Sequence, residues 1–293
     1  MSALDVPAWA WAMLAAILTL AIAIDLFAHR HHHTDSRKRA LAWSIAWIAL
    51  ALAFNGFVAL RFGAEAGEQF LAAYLLEKSL SVDNLFVFLV VFGALAIPPE
   101  QQRRVLTWGI LGAVVMRGVL VFAGAAAIHR WHGLTFAFGA LLFLAAYKLL
   151  RQHGAPGPNR LVHWLETHLD WPRWLIALVA IELTDVVFAL DSVPAAFAVT
   201  EEPFLIYSSN LFALLGLRAL YVVLAGMLAE LRYLRFGLAA VLGFAGAKLV
   251  TARWIHIPPL ASIAVIAVLI GAAVAASIIW RSPRVRASPV TQP

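Results

Sequence analysis

The chain has 293 residues, of which 63% are hydrophobic and only 13% are charged. Soluble domains average about 45–50% apolar and roughly 25% charged residues, so this composition excludes a soluble globular protein and requires lipid around much of the surface. The sequence contains no cysteine, which excludes disulfides and thiolate metal ligands.

Long apolar runs recur along the chain, and each predicts a membrane-spanning helix. The first run lacks a basic n-region and a cleavage site, so we expect a retained helix rather than a signal peptide. The predicted fold class is an all-α polytopic membrane protein with one transmembrane domain over residues 1–293. About nine helices are predicted, over residues 8–28, 40–60, 69–96, 104–128, 134–150, 174–200, 204–229, 236–252 and 259–280.

Basic residues outside the predicted helices are distributed unevenly. Fourteen Lys and Arg residues lie in the odd-numbered connections and the C-terminal tail, against only Arg61, Arg130 and Arg253 on the other side. Cytoplasmic loops carry such an excess, so the bias predicts an outside N-terminus and a cytoplasmic C-terminus. The run HRHHH at 29–33 is interpreted as part of one solvated loop. The positive net charge therefore reflects topology, and no nucleic-acid partner is expected.

Two acidic motifs of the same form occur in the third and sixth predicted helices. The segments EKSLSVDN at 77–84 and DVVFALDS at 185–192 each contain an acid, five residues, a second acid and a small polar residue. Basic residues follow in the same order in the next helices. They are Arg117 and Lys148 after the first motif, and Arg218 and Lys248 after the second.

Each of these units contains three helices, and an odd number inverts the second copy relative to the membrane. The pattern therefore predicts an inverted repeat of helices 3–5, over about 69–150, and helices 6–8, over about 174–252. The helices at 8–28, 40–60 and 259–280 flank the repeat. Many secondary transporters share this plan and bind their substrate near the membrane midplane between the two repeats.

A charged residue at the centre of a predicted span raises the free energy of membrane insertion by about 2.5–3.5 kcal/mol. Such residues are therefore expected to have a structural or functional role. Carboxylate, amide and hydroxyl oxygens suit hard divalent cations such as Mg²⁺, Ca²⁺ and Mn²⁺. Clustered carboxylates in a low dielectric cannot all ionise without a cation, so a metal ion and protons would compete for them. The candidate metal-binding residues are Glu77, Asp83, Asn84, Glu182, Asp185, Asp191, Ser192 and Asp25.

The same acids could instead do no more than neutralise basic residues in buried ion pairs. The basic residues Arg117, Arg218, Lys148 and Lys248 are accordingly interpreted as charge partners of the acids and not as ligands of a substrate. Asp25 lies near the end of its helix and could simply face interfacial water. Both interpretations of the acidic residues stay open at this point.

Two further polar features lie in the second predicted unit. Pro194 removes one backbone hydrogen bond, so we expect it to kink or open the sixth helix beside Asp191. An opened segment at membrane depth is tolerated only where it lines a cavity or packs in protein. Asn210, early in the seventh helix, either lines a cavity or hydrogen-bonds to a neighbouring helix, and both alternatives stay open.

The longest distinctive segments are YLLEKSLSVDNLFVF at 74–88, IELTDVVFALDSVPAAFAVT at 181–200 and SNLFALLGLRALY at 209–221. They closely resemble the TerC family of membrane proteins, in particular its Alx-type bacterial members, and the likeness covers nearly the whole chain. The sequence departs from the family pattern in two places. The connection between the fifth and sixth predicted helices is short, and the segment TEEPF at 200–204 occurs where relatives usually have Asp before Pro. Neither departure touches the acidic motifs.

The resemblance implies a multi-pass protein of the bacterial cytoplasmic membrane that acts in metal-ion homeostasis. Manganese export is the leading implied activity, and tellurite resistance is the historical label of the family. In that case the candidate metal residues of the two motifs would handle the ion. No permanently bound cofactor is expected, the metal ion and the bilayer are the expected partners, and the sequence does not determine the oligomeric state.

Three hypotheses of function follow. The first is a secondary transporter that exports Mn²⁺ or a similar divalent cation through a mid-membrane acidic site, in exchange for protons. The alternative is a non-transporting membrane module that supplies metal or scaffolds tellurite or metal-stress resistance. An intramembrane aspartyl protease is disfavoured because neither acidic motif has the Gly-x-Gly-Asp context, so the chain is not expected to be an enzyme. The absence of a GxxxxGK[ST] loop excludes an ATP-driven pump formed by this chain alone.

Overall fold

The fold is given by a computed structural model that describes residues 4, 6–28, 37–131, 133–151, 160–224, 233–252, 254–255 and 257–279. The HRHHH run lies outside these residues, as do the side chains of Asp25, Asp83, Asn84 and Asp191 within their helices. All regular secondary structure in the described ranges is α-helical. The helices are α1 (Ala8–Ala28), α2 (Arg37–Phe62), α3 (Ala64–Ala94), α4 (Pro99–Arg130), α5 (Leu134–Arg151), α6 (Arg160–His168), α7 (Arg173–Phe197), α8 (Pro203–Leu214), α9 (Leu217–Leu224), α10 (Leu234–Thr251) and α11 (Pro259–Ile279).

Proline marks the start of four of these helices. Pro99, Pro203 and Pro259 are the first residues of α4, α8 and α11, and Pro172 immediately precedes α7. Proline suits this position because its fixed φ is already helical and its missing N–H would have no partner in the first turn. The corresponding predicted helices, placed from their apolar runs, begin at 104, 174, 204 and 259, within five residues of the observed starts.

Five helices in the described part of the chain are long and apolar enough to cross a membrane: α2, α4, α5, α10 and α11. The bent pair α8 and α9 makes a sixth if it counts as one span. Helices α3 and α7 have 31 and 25 residues, above the roughly 20 that a bilayer requires, but they carry the acidic motifs. The predicted all-α polytopic membrane class is confirmed, whereas the number nine and the inverted repeat stay predictions.

Helix α3 lies at the centre of the bundle and packs against α2, α7, α8 and α11. Two other pairs have extensive contacts, α4 with α7 and α5 with α10. The last pair approaches closely at two glycines, since a Cβ added to Gly246 would lie 3.2 Å from the carbonyl oxygen of Gly139. Small residues allow such approach between helices in lipid, where packing rather than the hydrophobic effect holds helices together.

The prediction of one continuous helix over 204–229 is wrong. Helix α8 ends at Leu214, α9 begins at Leu217, and the two are bent by 40°. Gly216 has a φ of +78°, a left-handed conformation that ends the helix and that glycine adopts without steric cost. Residues 225–232 lie outside the described ranges, so the end of the predicted helix has no structural test.

Two other expectations need correction. The short helix α6 was not predicted, because its nine residues carry too many polar side chains for a hydropathy signal. Its Val162 and Leu165 are buried against α7, which gives this helix its tertiary support. Helix α7 is continuous through Pro194 to Phe197, so the expected opening beside Asp191 is not present. Pro194 still removes the amide partner of the Leu190 carbonyl, but the helix continues past it for three more residues.

Candidate functional site

Arg117, on α4, lies at the centre of the site and is fully buried. Its Nη1 donates to Asn210 Oδ1 at 2.9 Å, its Nη2 donates to Asp185 Oδ1 at 3.2 Å, and its Nε lies 3.5 Å from Asp185 Oδ2. Nη1 also forms an ion pair with Glu77. One guanidinium therefore connects side chains from α3, α4, α7 and α8.

The cluster lies near the middle of the long helices that form it. Glu77, Arg117 and Asp185 each occur about halfway along α3, α4 and α7. Glu77 is 2% and Asp185 is 7% exposed, so all three charges are removed from solvent. Burying a charge is costly unless it is paired and hydrogen-bonded, and the planar fork of arginine meets this need by binding two carboxylates at once.

Glu182 adds a second acidic group one helical turn before Asp185 on α7. Its carboxylate lies against α4 at two glycines: a Cβ added to Gly112 would overlap both carboxylate oxygens, and one added to Gly109 would lie 3.7 Å from Oε1. Glu182 Oε1 is buried and has no hydrogen-bond partner among the described residues. The missing side chain of Gly112 therefore provides the space that Glu182 occupies.

Several other buried polar atoms near the acidic motifs have no hydrogen-bond partner within the described ranges. They are Glu77 Oε2, Ser81 Oγ, Ser192 Oγ and Asn210 Nδ2. Leaving a buried polar group unsatisfied costs about 1–3 kcal/mol, so such a group usually marks a place for water, an ion or a functional partner. Two carboxylates at one guanidinium also leave the ionised cluster with a net negative charge.

The predicted site residues differ in where the structure places them. Glu77 and Asp185 meet at Arg117, Glu182 lies one turn before Asp185 against Gly112, and Ser192 is buried farther along α7. The side chains of the other candidates, Asp25, Asp83, Asn84 and Asp191, lie outside the described residues. Within the part of the chain that is described, no group of three or more acidic or histidine side chains is arranged to hold a metal ion. The complete metal cage therefore stays a prediction.

The other predicted charge partners lie in different environments. Arg218 is buried in the first turn of α9. Lys148 is exposed at the end of α5, and Lys248 is buried on α10, where its Nζ donates to Ser262 Oγ at 2.8 Å. Neither lysine has an acidic partner among the residues that the structure describes.

Sequence reasoning gave no role to two residues that the structure brings to the site region. Lys78 follows Glu77 on α3, but consecutive helical residues point in different directions, and its ammonium contacts the backbone between α8 and α9. Gly112 was overlooked because a single glycine in an apolar helix carries no signal of what packs against it. Asn210, whose role was open, accepts a hydrogen bond from Arg117.

Two of the relatives found by comparison with known proteins illustrate the likeness. An uncharacterized membrane protein of Myxococcus xanthus, STKORF319, is 44% identical over 265 residues, which cover 83% of each chain. Alx of Escherichia coli strain K12, named provisionally as a membrane-bound redox modulator, is 39% identical over 259 residues, 78% of this chain and 81% of its own. No solved structure matches the chain.

A plant relative and a family model complete the comparison. The thylakoid membrane protein TERC of Arabidopsis thaliana is 35% identical over 258 residues, 80% of this chain and 67% of its own. The model of the integral membrane protein TerC family matches residues 62–285, which include both acidic motifs and the whole Arg117 cluster. The chain therefore belongs to the integral membrane protein TerC family.

Proposed function

We propose that this chain is a secondary transporter that exports a divalent metal cation, with Mn²⁺ as its leading cargo, in exchange for protons. The observation that carries the proposal is the buried pair Glu77 and Asp185, which share the guanidinium of Arg117. Glu182 lies one helical turn before Asp185 as a further acid. When all three carboxylates are ionised, one guanidinium leaves two negative charges, which a divalent ion would neutralise. Hard cations such as Mn²⁺ prefer carboxylate and other oxygen ligands.

In this mechanism Arg117 acts as a tethered counter-ion. Without cargo, its guanidinium neutralises Glu77 and Asp185 and holds the middle of α3, α4 and α7 together. An arriving divalent ion competes for the same carboxylate oxygens and weakens these contacts. Because the contacts join different helices, their loss would release the helices to move relative to one another and expose the site to the other side.

The packing of the helices supports a two-unit transporter. If α3 of the first unit corresponds to α7 of the second, and α4 to α8, then the pair α3–α8 corresponds to the pair α7–α4. Both pairs make extensive contacts in this bundle. The first acids of the two motifs, Glu77 and Asp185, also meet at the same arginine. A substrate site between two related units is the arrangement common to inverted-repeat carriers.

The names of the relatives suggest other activities. A redox role, as the name of Alx suggests for that protein, could not use thiol–disulfide exchange here because this chain has no cysteine. A non-transporting module for metal supply or tellurite resistance stays the alternative to export. In the proposed function the chain is a carrier and not an enzyme, the metal ion is its substrate, and it resides in the bacterial inner membrane with a cytoplasmic C-terminus.

The test is Mn²⁺ accumulation in bacterial cells that lack their own manganese exporters and express this chain or a variant. Asp185→Asn keeps an acceptor for Arg117 but removes a charge, and Asp83→Asn and Asp191→Asn remove the second acid of each motif. The matched control is Glu166→Gln on α6, which removes an exposed carboxylate.

We expect the intact chain and Glu166→Gln to lower cellular Mn²⁺ at least several-fold, and the three motif variants to fail at equal membrane levels. If the intact chain behaves like empty vector, export is wrong and the metal-supply alternative takes its place. If the motif variants export normally, the acidic cluster is not the transport site.

A further inference from the structure

The break between α8 and α9 is buried inside the bundle and holds a positive charge. Lys78 reaches it from α3, and its Nζ donates to the carbonyl oxygens of Ala213 at 3.1 Å and of Leu215 at 3.3 Å. Ala213, Leu215 and Gly216 are all buried. These contacts are separate from the Arg117 cluster, since the acceptors are neutral backbone groups and not carboxylates.

The break exposes carbonyls because the helical hydrogen-bond pattern is interrupted there. The amide of Leu215 still bonds to Leu211, and the amide of Leu220 bonds to Gly216, but the left-handed Gly216 separates the two ladders. The last carbonyls of a helix have no amide partner of their own and form its negative end. At membrane depth such carbonyls must be satisfied, and in discontinuous helices of transporters they coordinate small cations.

The break is also held open from outside α8 and α9. Trp47 of α2 packs directly on Gly216, and a Cβ added at that glycine would lie 2.7 Å from Trp47 Cδ1. The left-handed turn is therefore a packed element of the fold, and we expect its carbonyls to keep their direction when the charge beside them is removed. Carbonyl oxygens that have a fixed direction and contact a positive charge have the geometry of a cation site.

We propose that the α8–α9 break is a binding site for a monovalent cation and that Lys78 fills it with its own ammonium group. Two neutral carbonyls suit a single positive charge, whereas divalent ions are usually held by carboxylates. Secondary transporters often bind a free coupling cation at a broken helix, and here the cation is part of the chain. The site does not rest on the proposed export of manganese, because it uses different atoms.

The experiment is chemical rescue of Lys78→Ala, measured as the midpoint temperature of thermal unfolding of the purified full-length protein in detergent. The substitution removes three carbons and the ammonium, which n-propylammonium replaces in size and charge. In choline chloride we expect the variant to unfold about 5 °C below the unsubstituted protein, on the usual relation between lost stability and midpoint temperature. Added n-propylammonium should restore at least half of this difference in a saturable manner.

Controls separate a site from a general salt effect. Tetramethylammonium carries the charge without N–H donors and should give no rescue, and Lys78→Met fills the space with a neutral chain and should not respond. Lys248→Ala removes another buried lysine, whose partner is the Ser262 hydroxyl rather than a helix break, and should not respond to n-propylammonium.

The proposal is overturned if Lys78→Ala unfolds at the same temperature as the unsubstituted protein, or if n-propylammonium stabilises Lys248→Ala equally. Should Lys78→Ala not accumulate as folded protein, Lys78→Gln keeps one donor group for the carbonyls and should unfold at a higher temperature than Lys78→Met, which fills the same space without a donor. Equal unfolding temperatures of these two variants would also overturn the proposal. Because the readout is unfolding, the result is independent of whether the protein transports manganese.

Discussion

Arg117 and Lys78 are two buried cations in the same bundle, and their charges are satisfied in opposite ways. Arg117 lies between carboxylates from two other helices and an asparagine from a third. Lys78 binds only backbone carbonyls in its described contacts, at the place where α8 and α9 separate. The first environment is made of side chains with charges of their own, and the second is made of peptide dipoles.

This difference shows which of the two regions could exchange its cation. Carboxylates accept a proton or a metal ion, so the partners of Arg117 can change charge and release it. A backbone carbonyl cannot change charge, and its direction is set by the path of the chain. We therefore expect the Arg117 cluster to respond to divalent ions and the Lys78 contacts to act on the stability of the helix break.

The largest effect should come from Arg117→Gln, which leaves Glu77 and Asp185 without their shared cation. Removing one partner of a buried ion pair typically costs about 3–5 kcal/mol of unfolding free energy. We expect a large fall in the midpoint temperature of the detergent-solubilised protein, and a stronger stabilisation by Mn²⁺ than in the unsubstituted chain.

Arg61→Gln is the control for this change, because Arg61 is exposed at the end of α2 and should matter little. An Arg117→Gln protein that is as stable as the Arg61→Gln protein would contradict the role of Arg117 as a counter-ion. Equal responses of the Arg117→Gln and unsubstituted proteins to Mn²⁺ would contradict competition between arginine and metal.

A smaller but clear loss is expected for Gly216→Ala at the helix break. The left-handed backbone costs an L-residue about 1–2 kcal/mol, and the overlap of the new Cβ with Trp47 adds to this. The unfolding temperature should fall, while the response to Mn²⁺ should stay as in the unsubstituted protein. Gly243→Ala on α10 is the matched control, since nothing lies within 4 Å of its added Cβ. A Gly216→Ala protein as stable as this control would mean that the break straightens easily.

The smallest effect on stability, with a clear effect on activity, is expected for Gly112→Ala. The new methyl group takes the space of the Glu182 carboxylate, and because this is the end of a flexible side chain, the cost should lie near the lower end of the roughly 1–3 kcal/mol that overpacking entails. We expect manganese export to fall several-fold at nearly unchanged unfolding temperature. Gly109→Ala, one turn earlier, makes only an ordinary contact with Glu182 and should export normally. Equal export by the two variants would show that the position of Glu182 does not matter.

The sequence by itself determined the membrane class, the starts of several helices and the need of the buried acids for positively charged partners. These features are local, because hydropathy is read from neighbouring residues and a buried acid requires a cation. Arg117 could therefore be named as a charge partner from the sequence. That Glu77 and Asp185 share it depends on three helices meeting at one depth, which no local pattern specifies.

Only the tertiary structure decided the break at Gly216, the partners of Lys78 and the position of α6. A glycine in an apolar run is compatible with a continuous helix or with a left-handed turn. The close packing of Trp47, far away in the chain, matches the second alternative. Lys78 likewise has one side-chain charge and many possible acceptors, and the break determines which carbonyls it meets. Such choices depend on contacts between distant segments, and these exist only once the bundle has formed.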